Sequence, residues 1–530
     1  MSSKTLRTGI KAAFAHQRKS ILLFILSWCC LVLYIFLPDH EEYKAELSQN
    51  SNHTAEVPPA NFHLLVPASK PEPNLCKLIL SAAVTGYPAP VLINWGKAFE
   101  DAQYVEGGSH LAKITGIHDY LSQLGPDEDE SLVLLVDGFD VWMQLRPQTL
   151  IDRYFDINRR AQERLDHRLG HVAYNHGIRQ EIVFGCQKRC WPWAFEDPPC
   201  YAAPESSLPG DIFGPQTDTS VEDEANPYVK YRPRYLNSGV GIGTVKAMRK
   251  LFKRAITLLE TERNMGSDQY IFSHILGDQE VWREIVRRKT RGRLGEWSDG
   301  IFSRRPKIVF NEEHVKEVGA KAAEQEDQNL EFGLGLDYGS EIGLNTVFAE
   351  DDTAWLTWSN DSQLRAAEKT RGISPEASRI HDLAPDISQT IPPFGTSSSE
   401  DLPSWTPWRD VSLFTNVWTG TVPAIIHHNA HRDGRKALRE TWWDRIWFQK
   451  YARGLYDAQM FEPIVPIARS GYDGATQREW WPSETGKGGA RDGSGEATQE
   501  RWVRFDDMCR EYHEEIFRDG EGPWEAPIVQ

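Results

Sequence analysis

Apolar residues along this chain fall in two kinds of pattern: short unbroken runs, and longer stretches with helical spacing. The clearest run is Leu132 to Val136, five apolar residues that lead straight into Asp137-Gly138-Phe139-Asp140. Such a run predicts a strand buried on both faces, as parallel sheets require. Other runs predict strands at Lys77 to Thr85, Pro90 to Trp95, His171 to Tyr174, Ile182 to Phe184, Leu334 to Tyr338, Leu344 to Phe348 and Val422 to Ile426. Between them, Leu111, Ile114, Ile117, Leu121 and Leu124 share one helical face, and Gly125-Pro126 stops that helix. A second helix is predicted from Pro147, and a third through Val245, Met248, Phe252, Ala255 and Leu259. Alternating strands and helices predict an α/β protein with a doubly wound, mostly parallel sheet flanked by helices.

The first twenty residues carry five basic groups and no acid, and Ile21 to Leu37 is an uncharged apolar run closed by Pro38. At ~1.5 Å per residue the run is at the short end for crossing a bilayer. A cleaved signal peptide is the rival, but Tyr34-Ile35-Phe36-Leu37-Pro38 is a poor cleavage site. The expected organisation is a cytosolic tail over 1–20, a transmembrane signal anchor over 21–38 and a flexible stem over 39–72. A catalytic-size domain over 73–440, with an insertion near 360–412, and a C-terminal extension over 441–530 follow. In that extension Gly486 to Gly495 reads as a linker and Trp502 to Phe517 as a helix. By the positive-inside rule the chain is a single-pass type II protein, its bulk in the lumen of the Golgi or endoplasmic reticulum.

A net charge of −17 over 530 residues argues against nucleic acid as a partner. It suits a protein that needs a cation to hold an anionic ligand. Of seven cysteines, Cys29 and Cys30 lie in the apolar run; Cys76, Cys186, Cys190, Cys200 and Cys509 would face the lumen, where disulfides persist. A disulfide is expected within Cys186, Cys190 and Cys200, with Cys190–Cys200 favoured by its short loop. A zinc site is the alternative, although no histidine lies among the three. Asn52-His53-Thr54 and Asn360-Asp361-Ser362 are glycosylation sequons.

Asp137 and Asp140 follow a buried strand, at the edge where α/β sheets bind ligands, and offer two hard oxygen donors to a divalent cation. A plain Asp-Gly turn is the alternative. His427, at the end of the Val422 to Ile426 run, offers an imidazole of the kind Mn²⁺ accepts beside carboxylates, or is simply a loop residue. Gly239, Gly241 and Gly243 lack the spacing of a dinucleotide loop; backbone approach to a ligand, with Asn237 and Ser238 donating hydrogen bonds, fits better. Asp268 in Ser267-Asp268-Gln269 either caps a helix or binds substrate.

The aspartate pair, Tyr235-Leu236-Asn237-Ser238-Gly239-Val240-Gly241-Ile242-Gly243, Ser267-Asp268-Gln269 and Pro423-Ala424-Ile425-Ile426-His427-His428-Asn429 occur in an order that resembles the glycosyltransferase domain of the procollagen lysyl hydroxylase/glycosyltransferase enzymes. The resemblance covers roughly 75–440. It implies a GT-A (Rossmann-like) fold, Mn²⁺, a UDP-sugar donor and a protein or glycan acceptor. It implies that Asp137, Asp140 and His427 bind the metal, that Lys113 and Asn429 bind the donor, and that Asp268 orients the sugar or acts as base. The chain departs from the family at His428, where the family has Gly, and at Ala430-His431, where it has Gly-Pro. The Cys186 to Tyr201 segment, with Trp191-Pro192-Trp193, is also larger. No hydroxylase domain is expected, since an iron/2-oxoglutarate domain needs some two hundred further residues. The alternative function is a non-catalytic luminal carbohydrate-binding or scaffold protein on the same fold.

Overall fold

A computed structural model describes residues 57–98, 108–221, 226–261, 266–301, 310–324, 329–395, 402–429, 438–471, 477–494 and 501–524. The expected membrane span over 21–37, the tail and most of the stem lie outside these residues. Among the described residues no helix is long and apolar enough to cross a membrane.

The protein is mixed α/β, built on one large, mostly parallel sheet with helices on both faces. Its strands, in chain order, are β1 (Ala60–Pro67), β2 (Val91–Ile93), β3 (Leu132–Val136), β4 (Val141–Met143), β5 (Ile182–Gln187), β6 (Tyr235–Thr244), β7 (Leu334–Asp337) and β8 (Gly343–Asn345). After these come β9 (Thr353–Thr357), β10 (Ser412–Asn416), β11 (Ile425–His427), β12 (Ala468–Ser470), β13 (Arg478–Pro482), β14 (Gly489–Asp492) and β15 (Arg501–Arg504). The main path runs β15-β14-β2-β1-β3-β6-β5-β8-β11-β4, while β9 and β10 form a separate antiparallel pair. β1, β2 and β3 are parallel, and β6 runs antiparallel between β3 and β5.

β3 behaves as its sequence requires. Leu132, Leu134 and Val136 enter one core and Val133 and Leu135 the other, with every residue buried. β1, beside it, does the same: Phe62, Leu64 and Val66 join the first core and Leu65 the second. Residues 60–67 are therefore a central strand and not part of a stem. The sequence reading missed β1 because the polar residues before and after it mask an eight-residue element.

Four further expectations are corrected. Lys77 to Thr85 is not a strand but most of the helix Pro73–Thr85, which starts with Pro at its first turn and ends at Gly86 in the left-handed region (φ 87°). Eleven of its thirteen residues are buried, so it shows no polar face to reveal a helical period. His171–Asn175 is a short helix. The supposed linker at 486–495 contains β14, which extends the sheet beside β2, and β15 opens the segment read as a terminal helix; short helices Phe505–Cys509 and His513–Phe517 follow.

Disulfides join Cys190 to Cys200, as expected, and Cys76 to Cys509 across 433 positions; Cys186 is a buried free thiol.

Candidate metal centre

Three segments meet at the carboxyl edge of the sheet. Asp137 follows β3, Asp140 precedes β4, and His427 ends β11. One ligand atom from each lies within 4.8 Å of the other two. β3 and β11 are parallel but not neighbours, being separated by β6, β5 and β8. The convergence has another cause. The four residues 137–140 carry the chain from β3 to β4, and β4 pairs antiparallel with β11, setting His427 opposite Val141. The His428 N–H donates to the Asp140 carbonyl at 2.7 Å and fixes that junction.

Glycines make room for the centre. A Cβ on Gly239 of β6 would sit 2.0 Å from His427 Cε1, so no other residue fits against the ring. A Cβ on Gly138 would come within 2.4 Å of the Pro67 carbonyl. The alternating glycines of β6 thus serve packing inside a strand rather than a phosphate-binding turn.

His427 is buried. Its Nε2 lies 3.4 Å from Asp140 Oδ1 and 3.6 Å from Asp137 Oδ2, yet makes no hydrogen bond among the described residues. Its Nδ1 is 2.7 Å from Asn345 Oδ1. Burial works to lower the His427 pKa, but Asp140 and then Asp137 overcome it, and the ring is held above the ordinary histidine value. Burial works to raise the Asp140 pKa; His427, His428 and Arg439 overcome it and hold it at about 2. Two carboxylates and an imidazole, one nitrogen buried and unbonded, form a donor set that could hold a divalent cation.

Lys113 extends the centre. From the helix Gly108–Gln123 its ammonium donates to Asp137 Oδ1 at 2.6 Å and Asp268 Oδ2 at 2.7 Å, and approaches the Ser238 carbonyl at 3.4 Å. Burial works to lower its pKa, but the two carboxylates prevail and raise it. Asp268 opens the helix Asp268–Ile301, capped by Ser267, whose hydroxyl accepts from the Tyr270 N–H. Burial tends to raise the Asp268 pKa, but Lys113 and a Ser238 hydrogen bond lower it.

The other expected site residues are committed within the protein. The Asn237 amide donates to Gln187 and Gln269 and accepts from the Gly239 N–H. Asn429 accepts from the Val347 N–H at 3.0 Å, bracing the loop after β8 against β11. Asn345 escaped the sequence reading; an asparagine ending a short apolar run carries no signal until its contact with His427 is known.

No family model matches the chain. Over 185 residues it is 20% identical to a multifunctional procollagen lysine hydroxylase and glycosyltransferase of Caenorhabditis elegans, covering 35% of this chain and 18% of that protein. Over 217 residues it is 24% identical to a probable malate:quinone oxidoreductase of Corynebacterium jeikeium (strain K411), covering 40% of this chain and 39% of that protein. The chain thus spans well under half the length of either relative. The first similarity supports a distant relationship to a glycosyltransferase-containing enzyme.

Proposed function

We propose that this protein is a metal-dependent glycosyltransferase that moves a hexose from a UDP-sugar to a protein or glycan acceptor. The observation that carries the reading is the buried, unbonded Nε2 of His427 facing Asp137 and Asp140. Those three residues would hold a divalent cation, which when bound neutralises a nucleotide diphosphate and makes it a better leaving group. Lys113, already shared between Asp137 and Asp268, is placed to turn part of its charge toward an anionic donor. Asp268 is held ionised in a buried site, as a group that accepts hydrogen bonds from a sugar or takes an acceptor proton must be. The distant similarity to a glycosyltransferase-containing protein agrees with this chemistry.

We further propose a luminal, type II arrangement. Two disulfides support an oxidising compartment, and Asn360, exposed at the start of the helix Asp361–Thr370, is accessible in its sequon.

The test is release of UDP from a panel of UDP-sugars with Mn²⁺ or EDTA, by the parent protein and Asp140→Asn. Hydrolysis that needs metal and is lost in the variant supports the reading. Carbohydrate binding without metal-dependent UDP binding would favour a binding module instead.

A further inference from the structure

The environment of His427 is built on its far side as carefully as on its metal side. β5 carries an irregularity between Phe184 and Gly185, where its pairing with β6 shifts register. Just past the shift, Asn345 at the end of β8 donates from Nδ2 to the Cys186 carbonyl at 3.0 Å. A carbonyl only accepts, so the amide nitrogen must face Cys186. The Asn345 oxygen must then face His427 Nδ1, and at 2.7 Å it accepts from that nitrogen. Nδ1 therefore carries the proton in neutral imidazole, and the lone pair is left on Nε2, the nitrogen between Asp137 and Asp140. Gly185 makes this possible: a Cβ there would lie 2.7 Å from Asn345 Nδ2. Asn345 is itself buried, so no water competes for the amide.

We propose that Asn345 is a positioning residue that fixes the Nδ1–H tautomer of His427, and that Gly185 and the Cys186 carbonyl fix the orientation of Asn345. The inference rests on the reading of Asp137, Asp140 and His427 as metal ligands for its consequence, but not for the tautomer itself. Orienting partners of this kind change metal affinity by ~10–100-fold in known sites. The Asn345 oxygen contributes nothing as a ligand, because it points at the ring nitrogen away from the cluster.

The experiment has two readouts on the full-length protein. Ring ¹⁵N resonances of His427 at a pH where the imidazole is neutral, without metal, report the tautomer. Titration calorimetry with Mn²⁺ alone reports affinity. The parent should show a protonated Nδ1 and a bare Nε2. Asn345→Ala should mix the tautomers and weaken Mn²⁺ by ~10–100-fold. Asn345→Asp retains an acceptor for Nδ1–H and should keep the parent tautomer. Gly185→Ala alters no ligand yet should displace the Asn345 amide and weaken Mn²⁺ in the same direction. Melting curves select variants that remain folded. A parent tautomer with the proton on Nε2, or folded Asn345→Ala and Gly185→Ala proteins with parental tautomer and parental affinity, would overturn the proposal. If the parent shows the Nδ1–H tautomer but binds no Mn²⁺, the tautomer assignment stands and the metal reading fails.

Discussion

His427 ends β11, His428 follows it, and the two adjacent histidines meet opposite fates. His427 faces carboxylates and is held above the ordinary histidine pKa, whereas His428 turns into the apolar side, 3.9 Å from the Trp142 ring. Burial, acting against the pull of Asp140, takes His428 from the ordinary 6.5 down to about 3. The folded state keeps this ring neutral while the unfolded chain protonates it below pH ~6.5. Stability from this residue is therefore complete above pH ~6.5 and is lost as pH falls toward ~3, by an amount on the order of a few kcal/mol. His428→Phe, which keeps an aromatic ring against Trp142, should flatten the acid limb of a urea-melt stability profile between those pH values. An unchanged acid limb would show that His428 is not the group responsible. At this scale the sequence was most informative about the Asp137, Asp140 and His427 cluster, because hard donors after buried strands are a local signal. It was silent on Asn345 and Gly185, whose roles arise only when β5, β8 and β11 come together.

Helices were legible where one face is polar and obscured where it is not. The helix Gly108–Gln123 and the helix Val245–Thr261 alternate buried and exposed positions, and their spacing predicted them. The helix Pro73–Thr85 is buried nearly all round and read as a strand. β1 went unread between polar neighbours, although it pairs with β2, β3 and β13 and its residues 62–66 are all buried. This has a practical consequence for fragment design. A chain begun at residue 73, where the sequence suggests the domain starts, lacks β1 and leaves the inner edges of β2 and β3 unpaired. Unpaired, apolar strand edges aggregate. The 73–530 fragment is expected to be insoluble or to melt without cooperativity, and a fragment from residue 58 to be soluble and cooperative. Expression of both, compared by size-exclusion chromatography and thermal melting, checks this; equal behaviour would mean that β1 is dispensable.

Across the whole molecule, the segment after residue 440 is part of the sheet's architecture rather than an appendage. β13 lies beside β1 and β14 beside β2, and Trp443 ties this segment to β4: its indole N–H donates to the Ile516 carbonyl at 2.8 Å and its ring meets Trp142 at 4.9 Å. The Cys76–Cys509 bond ties the helix Pro73–Thr85 to this segment, closing a loop of 433 positions, against ten for Cys190–Cys200. In the chain-entropy account the restriction grows with the logarithm of loop length, so the long bridge should contribute roughly twice as much as the short one. Replacing Cys76 and Cys509 with alanine together should cost about 2–5 kcal/mol. Asp137, Asp140 and His427 should keep their places in the variant below its melting temperature, because His427 and Asp140 are set by the β4–β11 pairing and by the His428 N–H bond rather than by the bridge. The expected result is a lower melting temperature with Mn²⁺ affinity at 25 °C within a few-fold of the parent. A variant that melts like the parent would remove the bridge from the stability argument. A variant that stays folded but loses Mn²⁺ would show that the terminal segment, acting through Trp443 and Trp142, also holds the ligands in register.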